Sequence, residues 1–248
     1  EIHERLVGSE MCIRDRDICE ADVVIYVISR ISGEGKDRRK VKGDYYLSER
    51  EEEDLRYLAE MNKPVILILN AGGPVELTDI LEQTDNIKGI LNISQLGQEG
   101  GDALADVLLG KEVPGGKLTT TWARRYEDYP ASEEYGYLNG NLEKEKYKEG
   151  IYVGYRYFDS FDKKVMFPFG FGLSYTMFEM MCCSINMEES KIRAEVQVTN
   201  TGNEYAGKEV VQIYVTLPQT ELEKEYKRLA GFAKTRLLKP GETQTLTV

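Results

Sequence analysis

The chain is poor in the residues on which many enzyme sites depend. Its 248 residues include one histidine, His3, and four cysteines. A lone histidine at the start of the sequence disfavours a Ser-His-Asp or Cys-His site and a two-histidine metal motif. Cys12, Cys19, Cys182 and Cys183 are too few and too unevenly spaced for a disulfide scaffold or a zinc site. No metal or cofactor is therefore expected, and the unpaired cysteines favour the cytoplasm.

An excess of positive charge is also missing. The sequence has 43 acidic and 32 basic residues, a net charge of -11. Because nucleic-acid binding needs a basic surface, no nucleic-acid partner is expected. No apolar run approaches the roughly 20 residues that span a bilayer, and no charged-then-apolar leader is present, so no membrane partner is expected. Any acid-base chemistry must then use carboxylates, or less readily tyrosine or lysine.

The first half of the sequence alternates between strand-like and helix-like segments. Ser48 and Glu51 form a capping box, which predicts that a helix begins there. The predicted strands are residues 21–29, 65–69 and 87–93, and the predicted helices are residues 48–61, 75–83 and 97–109. This alternation predicts a parallel sheet with helices on its faces. The apolar first strand is expected to be buried on both faces.

A different sequence pattern begins near residue 176, where apolar and polar residues alternate with period two. Strands are predicted at residues 192–199, 210–217, 228–238 and 243–248, and the alternation at 151–157 predicts another. The predicted fold is α/β, with a parallel-sheet α/β sandwich domain at residues 17–175 and a partial all-β sandwich at 176–248. A complete sandwich has about seven strands, so the second domain is expected to be truncated.

Two tracts stand apart from this organisation. Residues 6–16 resemble a translated sequencing adaptor, so residues 1–16 are set aside as non-native, with a short polar helix as the alternative. Residues 110–150 are charged and rich in tyrosine, which indicates a long ordered loop. We expect its aromatic side chains to pack within the loop, with stacking on a sugar as the less favoured alternative.

The candidate catalytic residue is Glu34, which lies between Gly33 and Gly35 directly after the first predicted strand. Loops at the carboxyl ends of parallel strands form the ligand crevice of such sheets. The two glycines can adopt backbone angles closed to other residues, so Glu34 could project from a sharp turn. The local sequence alone is consistent both with a solvated loop carboxylate and with a catalytic one.

Several longer motifs, in order along the chain, resemble glycoside hydrolase family 3, the β-glucosidase and β-xylosidase group. They include Gly33-Glu34-Gly35-Lys36-Asp37-Arg38, the Gly-Gly-Lys-Leu of residues 115–118, and residues 149–159 and 167–175. Residues 198–202 and 207–212 resemble the fibronectin type III-like module of that family. The resemblance covers nearly everything from residue 17 to residue 248.

The resemblance implies a retaining β-glycosidase whose nucleophilic Asp lies on a (β/α)8 barrel that this chain does not contain. The general acid/base comes from the α/β sandwich, and by motif match it is Glu34. Gly33, Gly35, Asp37 and Arg38 are expected to shape the loop. Asp37 and Arg38 are expected to form an ion pair, with direct contact with the substrate as the alternative. The expected partners are an oligosaccharide or β-glycoside substrate and the missing barrel domain of the same polypeptide.

Three alternatives remain beside a β-glucosidase. The first is a β-xylosidase of the same family. The second is a noncatalytic carbohydrate-binding or scaffold protein without a barrel. The third is a β-N-acetylglucosaminidase with a histidine acid/base, against which the Glu34 loop counts. The residues that would bind the sugar are not identified by the sequence.

Overall fold

A computed structural model of the chain describes residues 20–31, 38–133, 143–144, 146–189, 191–218 and 220–248. The chain divides into two compact units, residues 1–96 and residues 97–248. Within the described residues, no helix is both long enough and apolar enough to cross a bilayer. The domain boundary expected near residue 175 falls inside the second unit and stays a prediction.

The first unit is built on a parallel sheet of β1 (Val24–Ser29), β2 (Val65–Asn70) and β3 (Ile87–Asn92), in that order. Helix α1 (Glu49–Glu60) joins the first two strands, and α2 (Thr78–Gln83) joins the second and third. This confirms the predicted parallel α/β organisation. Helix α1 begins at the predicted capping box, where the Ser48 side chain accepts from the Glu51 N–H.

The two faces of this sheet differ in burial. Because both crossovers advance in the same direction and crossovers are right-handed, α1 and α2 lie on one face. Ile28 and Leu67 are fully buried on that face, and the Tyr26 hydroxyl donates to Asp54 of α1. On the opposite face Val23, Ile25 and Val27 are each about half exposed.

The expectation that the first strand is buried on both faces is therefore wrong for this chain. An apolar run shows that both faces of a strand are apolar. It does not show that each face has a helix packed on it.

The second unit contains α3 (Gly100–Leu108), α4 (Tyr155–Ser160) and antiparallel strands. Two short strands, β4 (Trp122–Ala123) and β5 (Val165–Phe167), pair with each other. Five further strands are β6 (Phe178–Glu188), β7 (Lys191–Asn200), β8 (Val210–Val215), β9 (Arg228–Lys234) and β10 (Thr243–Thr247). Three of them form a sheet with the order β10-β7-β6, and β8 pairs with β9. The predicted change to antiparallel strands is confirmed.

The strand expected at residues 151–157 is wrong, because α4 begins at Tyr155. Gly154 precedes it with a φ of 59°, a conformation that suits glycine. Phe158 is 2% exposed, and its ring lies edge-on to that of Tyr129. The aromatic spacing that looked like strand alternation instead belongs to one turn of helix and the loop before it.

Asn200 ties several segments of the second unit together. Its side chain is fully buried, and its amide group donates to the Tyr205 and Leu238 carbonyls, each at 2.9 Å. Its Oδ1 accepts from the Thr176 hydroxyl at 2.6 Å and from the Gly202 N–H at 3.0 Å. A buried amide is favourable only when its hydrogen bonds are made, and here both ends of the amide are satisfied.

We expect Asn200→Ala to lower the free energy of unfolding of the second unit by about 3 kcal/mol, because it leaves several buried polar groups without partners. Trp122 is the single tryptophan and lies in this unit at 3% exposure, so denaturant titration followed by its fluorescence measures the effect. Asn203→Ala, at an exposed position of the same turn, is the matched control. Equal midpoints for the two variants would contradict the role given to Asn200.

Candidate active site

The carboxyl ends of the three parallel strands carry polar side chains. Strand register places Ser29 beside Asn70, and Leu69 beside Asn92. The Asn70 amide donates to the Ser29 hydroxyl at 3.4 Å. This edge is where open α/β sheets bind ligands.

The segment with the predicted catalytic residue follows β1 in the sequence. The described residues do not include Gly33, Glu34, Gly35 and Asp37. The distances and contacts of the site therefore involve other residues. Residues on both sides of the segment are described. Arg30 precedes it and Arg38, the remaining predicted loop-shaping residue, ends it.

Arg30 is a buried cation with every nitrogen engaged. Its residue exposure is 7%, and its Nη1 and Nη2 donate to the two carboxylate oxygens of Glu51 at 2.8 and 2.7 Å. Its Nε donates to the Asp44 carbonyl at 2.7 Å. Its Nη2 also donates to the Tyr46 carbonyl at 3.2 Å. This two-bond contact between guanidinium and carboxylate fixes orientation as well as distance.

Arg38 is held in the same neighbourhood. Its Nη2 donates to the Asp44 carbonyl at 2.5 Å, and its Nε donates to the Asp44 carboxylate at 3.0 Å. Its Nη1 donates to the Pro74 carbonyl at 2.6 Å, and the guanidinium carbon lies 5.8 Å from the centre of the Tyr45 ring. The ion pair expected between Asp37 and Arg38 stays a prediction, and the described ionic partner of Arg38 is Asp44.

Asp44 belongs to a tight turn that both arginines contact. Its carboxylate accepts from the Arg39 N–H at 2.7 Å, and the Tyr45 N–H donates to the Arg39 carbonyl. Burial opposes ionisation of Asp44, but the hydrogen bonds from Arg39 and Arg38 outweigh it and hold its pKa below the ordinary value. The carboxylate therefore remains charged at neutral pH.

Glu51 has two roles in the structure. Its Oε2 accepts from the Ser48 N–H at 2.7 Å as part of the capping box, and the same carboxylate pairs with Arg30. Burial works against the charged form, yet the bonds from Arg30 and Ser48 lower the pKa of Glu51. The capping box was visible in the sequence, whereas the pairing with Arg30 across 21 positions was not.

Four other motifs that carried the resemblance have structural contacts in the second unit. The Tyr155 hydroxyl accepts from the Leu229 N–H at 2.8 Å, and Asp159 pairs with Lys227 at 3.2 Å. Lys117 pairs with Glu209 at 2.7 Å and donates to the Gly172 carbonyl at 2.7 Å. These residues join segments of one unit to each other, so packing accounts for them.

Two cavities in the described residues do not match a sugar site. A cavity of about 40 Å³ beside Thr121 and Phe158 has room for about one water molecule. An open depression of about 750 Å³ lies beside Asn62 and Asn86, near the amino ends of β2 and β3. That is the edge opposite the one at which such sheets bind ligands. Within the described ranges, no cluster of three metal-ligating side chains is present.

Comparison with known proteins gives a consistent result across the chain. The model of the Glycosyl hydrolase family 3 C-terminal domain matches residues 15–155, and that of the Fibronectin type III-like domain matches residues 209–248. The sequence is 41% identical to Beta-glucosidase A of Butyrivibrio fibrisolvens and 38% identical to a beta-glucosidase of Ruminococcus albus, over 92% of this chain in each case.

A solved structure agrees with these relatives. The structure of beta-glucosidase 3B from Thermotoga neapolitana in complex with glucose matches 94% of this chain with a TM-score of 0.88 and 42% identity. The chain covers 32% of the Butyrivibrio protein, 23% of the Ruminococcus protein and 33% of the Thermotoga protein. It therefore spans a quarter to a third of the length of these proteins.

We expect Glu51→Gln to destabilise the first unit by about 3 kcal/mol at pH 7, because it leaves the buried Arg30 charge without its partner. The folded-state pKa of Glu51 is lowered, so its contribution is complete above about pH 5 and is lost as pH falls below about 4. Denaturant titration followed by far-UV circular dichroism measures both effects, while Trp122 fluorescence follows the second unit separately. Glu53→Gln, exposed on the same helix, is the matched control and should leave the stability at pH 7 unchanged.

Proposed function

Because the chain belongs to glycoside hydrolase family 3, we propose that it is the acid/base-bearing part of a retaining β-glycosidase and that Glu34 is the general acid/base. The observation that carries this proposal is the similarity to proteins named beta-glucosidase over 92% of the chain. The place of Glu34 in the sequence supports it, since Glu34 lies four residues after Arg30, and Arg30 directly follows β1 at the carboxyl edge of the parallel sheet.

In this mechanism two carboxyl groups about 5 Å apart act on opposite sides of the glycosidic bond. Glu34 protonates the leaving oxygen while a carboxylate of the barrel domain, outside this chain, attacks the sugar. Glu34 then removes a proton from the water that releases the sugar. The acid must be protonated when substrate arrives, so its environment has to raise its pKa.

The other predicted site residues have supporting roles in the proposal. Gly33 and Gly35 give the backbone the freedom to present Glu34, while Asp37 and Arg38 shape the segment. The contacts of Arg38 with Asp44 and with the Pro74 carbonyl support a loop-shaping role rather than direct contact with sugar, because its three nitrogens are already engaged.

The proposed substrate is a terminal β-linked glucoside, since the relatives reported above are named beta-glucosidases. A β-xylosidase is the second candidate because most contacts with the bound ring are expected from the barrel. The proposed organisation keeps residues 17–175 as the α/β domain and 176–248 as a fibronectin type III-like domain. Residues 1–16 remain set aside in this proposal, and the family match, which begins at residue 15, leaves out the first 14 of them.

We expect the 248-residue chain alone to show no hydrolysis of an aryl β-glucoside, because a single carboxylate cannot perform double displacement. The measurement is release of the phenol by purified chain, with the Glu34→Ala variant as the background. Turnover by the unaltered chain above that background would contradict the proposed division of the catalytic residues.

The role of Glu34 is best tested in a chimera, in which this chain replaces the corresponding third of beta-glucosidase 3B from Thermotoga neapolitana. We expect Glu34→Ala to lower kcat/KM for an alkyl β-glucoside by about 100-fold or more, the usual worth of a general acid. Azide should restore turnover of an aryl β-glucoside and yield the β-glycosyl azide, because a small anion needs no general base.

Glu53→Ala, which removes an exposed carboxylate in the same unit, is the control and should retain activity. Full activity of the Glu34→Ala chimera would show that the acid lies elsewhere. Activity lost but not restored by azide would leave Glu34 with a structural role only.

A further inference from the structure

We propose that Arg30 and Arg38 act together as positioning residues, which hold the two ends of the segment that contains Glu34 on one backbone carbonyl, that of Asp44. This inference rests on the proposed function, because it concerns how the general acid/base is placed. Arg30 was not among the residues that the sequence singled out.

The two contacts converge on a single oxygen atom. Arg30 Nε reaches the Asp44 carbonyl at 2.7 Å, and Arg38 Nη2 reaches the same carbonyl at 2.5 Å. A carbonyl oxygen has two lone pairs and can accept both bonds. Residues 31–37 therefore lie in the sequence between two arginines whose side chains donate to the same carbonyl oxygen.

Each arginine is fixed independently as well. Arg30 is held by the Glu51 carboxylate at the start of α1, and its own N–H donates to the Asn70 carbonyl at the end of β2 at 3.0 Å. Arg38 is held by the Pro74 carbonyl in the turn after β2. The shared carbonyl is thus located by the sheet edge, the first turn of α1 and the β2–α2 turn, none of which belongs to the segment itself.

Fixing both ends of a short segment reduces the number of conformations that it can adopt. A general acid depends on such restriction, because proton transfer requires hydrogen-bond distance and a misplacement of about 1 Å can cost about 100-fold in rate. The arginine pair offers this restriction through contacts with the Asp44 turn, α1 and the turn after β2.

The charges of the pair are also balanced. Arg30 is paired with Glu51 at 2.7 Å and Arg38 with Asp44 at 3.0 Å. Two unpaired cations near a carboxylic acid would favour its ionised form, which is the wrong form when substrate arrives. With each guanidinium neutralised by its own carboxylate, the pair can hold the segment without this penalty.

The test uses Arg30→Lys and Arg38→Lys in the chimera described above. Lysine keeps the charge but loses the planar fork that reaches several acceptors, so these variants change geometry rather than net charge. Two substrates are compared: 2,4-dinitrophenyl β-glucoside, whose leaving group departs without protonation, and octyl β-glucoside, whose alkoxide must be protonated. Arg56→Lys, an exposed arginine of α1 whose ion pair with Glu52 spans 3.6 Å, is the matched control.

We expect each arginine variant to lower kcat/KM for octyl β-glucoside by about tenfold, a part of what general-acid catalysis contributes, with less than a twofold change for the dinitrophenyl substrate. The control should change neither value. A purely structural role would reduce the active fraction and so lower both values equally. Equal losses, or no loss, in an enzyme where Glu34→Ala shows the selective loss would overturn this inference alone.

If Glu34→Ala itself shows no selective loss, the proposed function fails and the inference fails with it. The 248-residue chain provides a second measurement that does not depend on the chimera. Hydrogen exchange of residues 31–37 should be about tenfold faster in either lysine variant, the factor implied by one lost hydrogen bond to a charged group. Exchange in β2 should stay unchanged, and an unchanged rate in residues 31–37 of both variants would overturn the inference.

Discussion

The ion pair between Arg30 and Glu51 is the contact on which the first unit depends. Both side chains are largely removed from water, with exposures of 5% and 15%. Burying a charge pair is favourable only when the remaining donors and acceptors are satisfied as well. Arg30 meets this condition through the Asp44 and Tyr46 carbonyls, and Glu51 through the Ser48 N–H. The end of β1, the start of α1 and the intervening turn are therefore mutually dependent.

The second unit also contains a buried polar side chain whose hydrogen bonds are all made, but this side chain is uncharged. Asn200 satisfies its buried amide with the Tyr205 and Leu238 carbonyls and the Thr176 hydroxyl. Gly202 is close enough to Thr176 that a Cβ atom there would overlap the threonine hydroxyl. The Asn-Thr-Gly sequence of residues 200–202 thus has a packing explanation, and so do the motifs around Lys117 and Tyr155. Several of the residues that carry the family resemblance therefore have contacts that stabilise the fold.

Local signals in the sequence predicted local structure well. The Ser48 and Glu51 capping box places the start of α1, and the apolar runs place β2 and β3, because these features depend on residues a few positions apart. The alternation at residues 151–157 was misleading, since aromatic residues satisfy either a strand or a helix when their partners are unknown. The burial of β1 also could not be predicted, because it depends on what packs against each face.

The arrangement around the candidate site was the least predictable part. Glu34 was selected through motif resemblance together with its place after a strand. Nothing local marks Arg30 as a partner of Glu51 or Asp44, because these contacts join residues 14 to 21 positions apart through side-chain geometry. The sequence does show an arginine at the end of an apolar strand, but its hydrogen-bond partners can be identified only from the folded structure.

Glu51 caps a helix and neutralises a buried arginine with the same carboxylate. This double use limits how the protein can vary over evolutionary time. Aspartate at this position is one methylene shorter and would not span both contacts, and glutamine would preserve part of the cap while abandoning the ion pair. The pairing couples position 51 to position 30, because a change that removes one charge leaves the other buried without its partner.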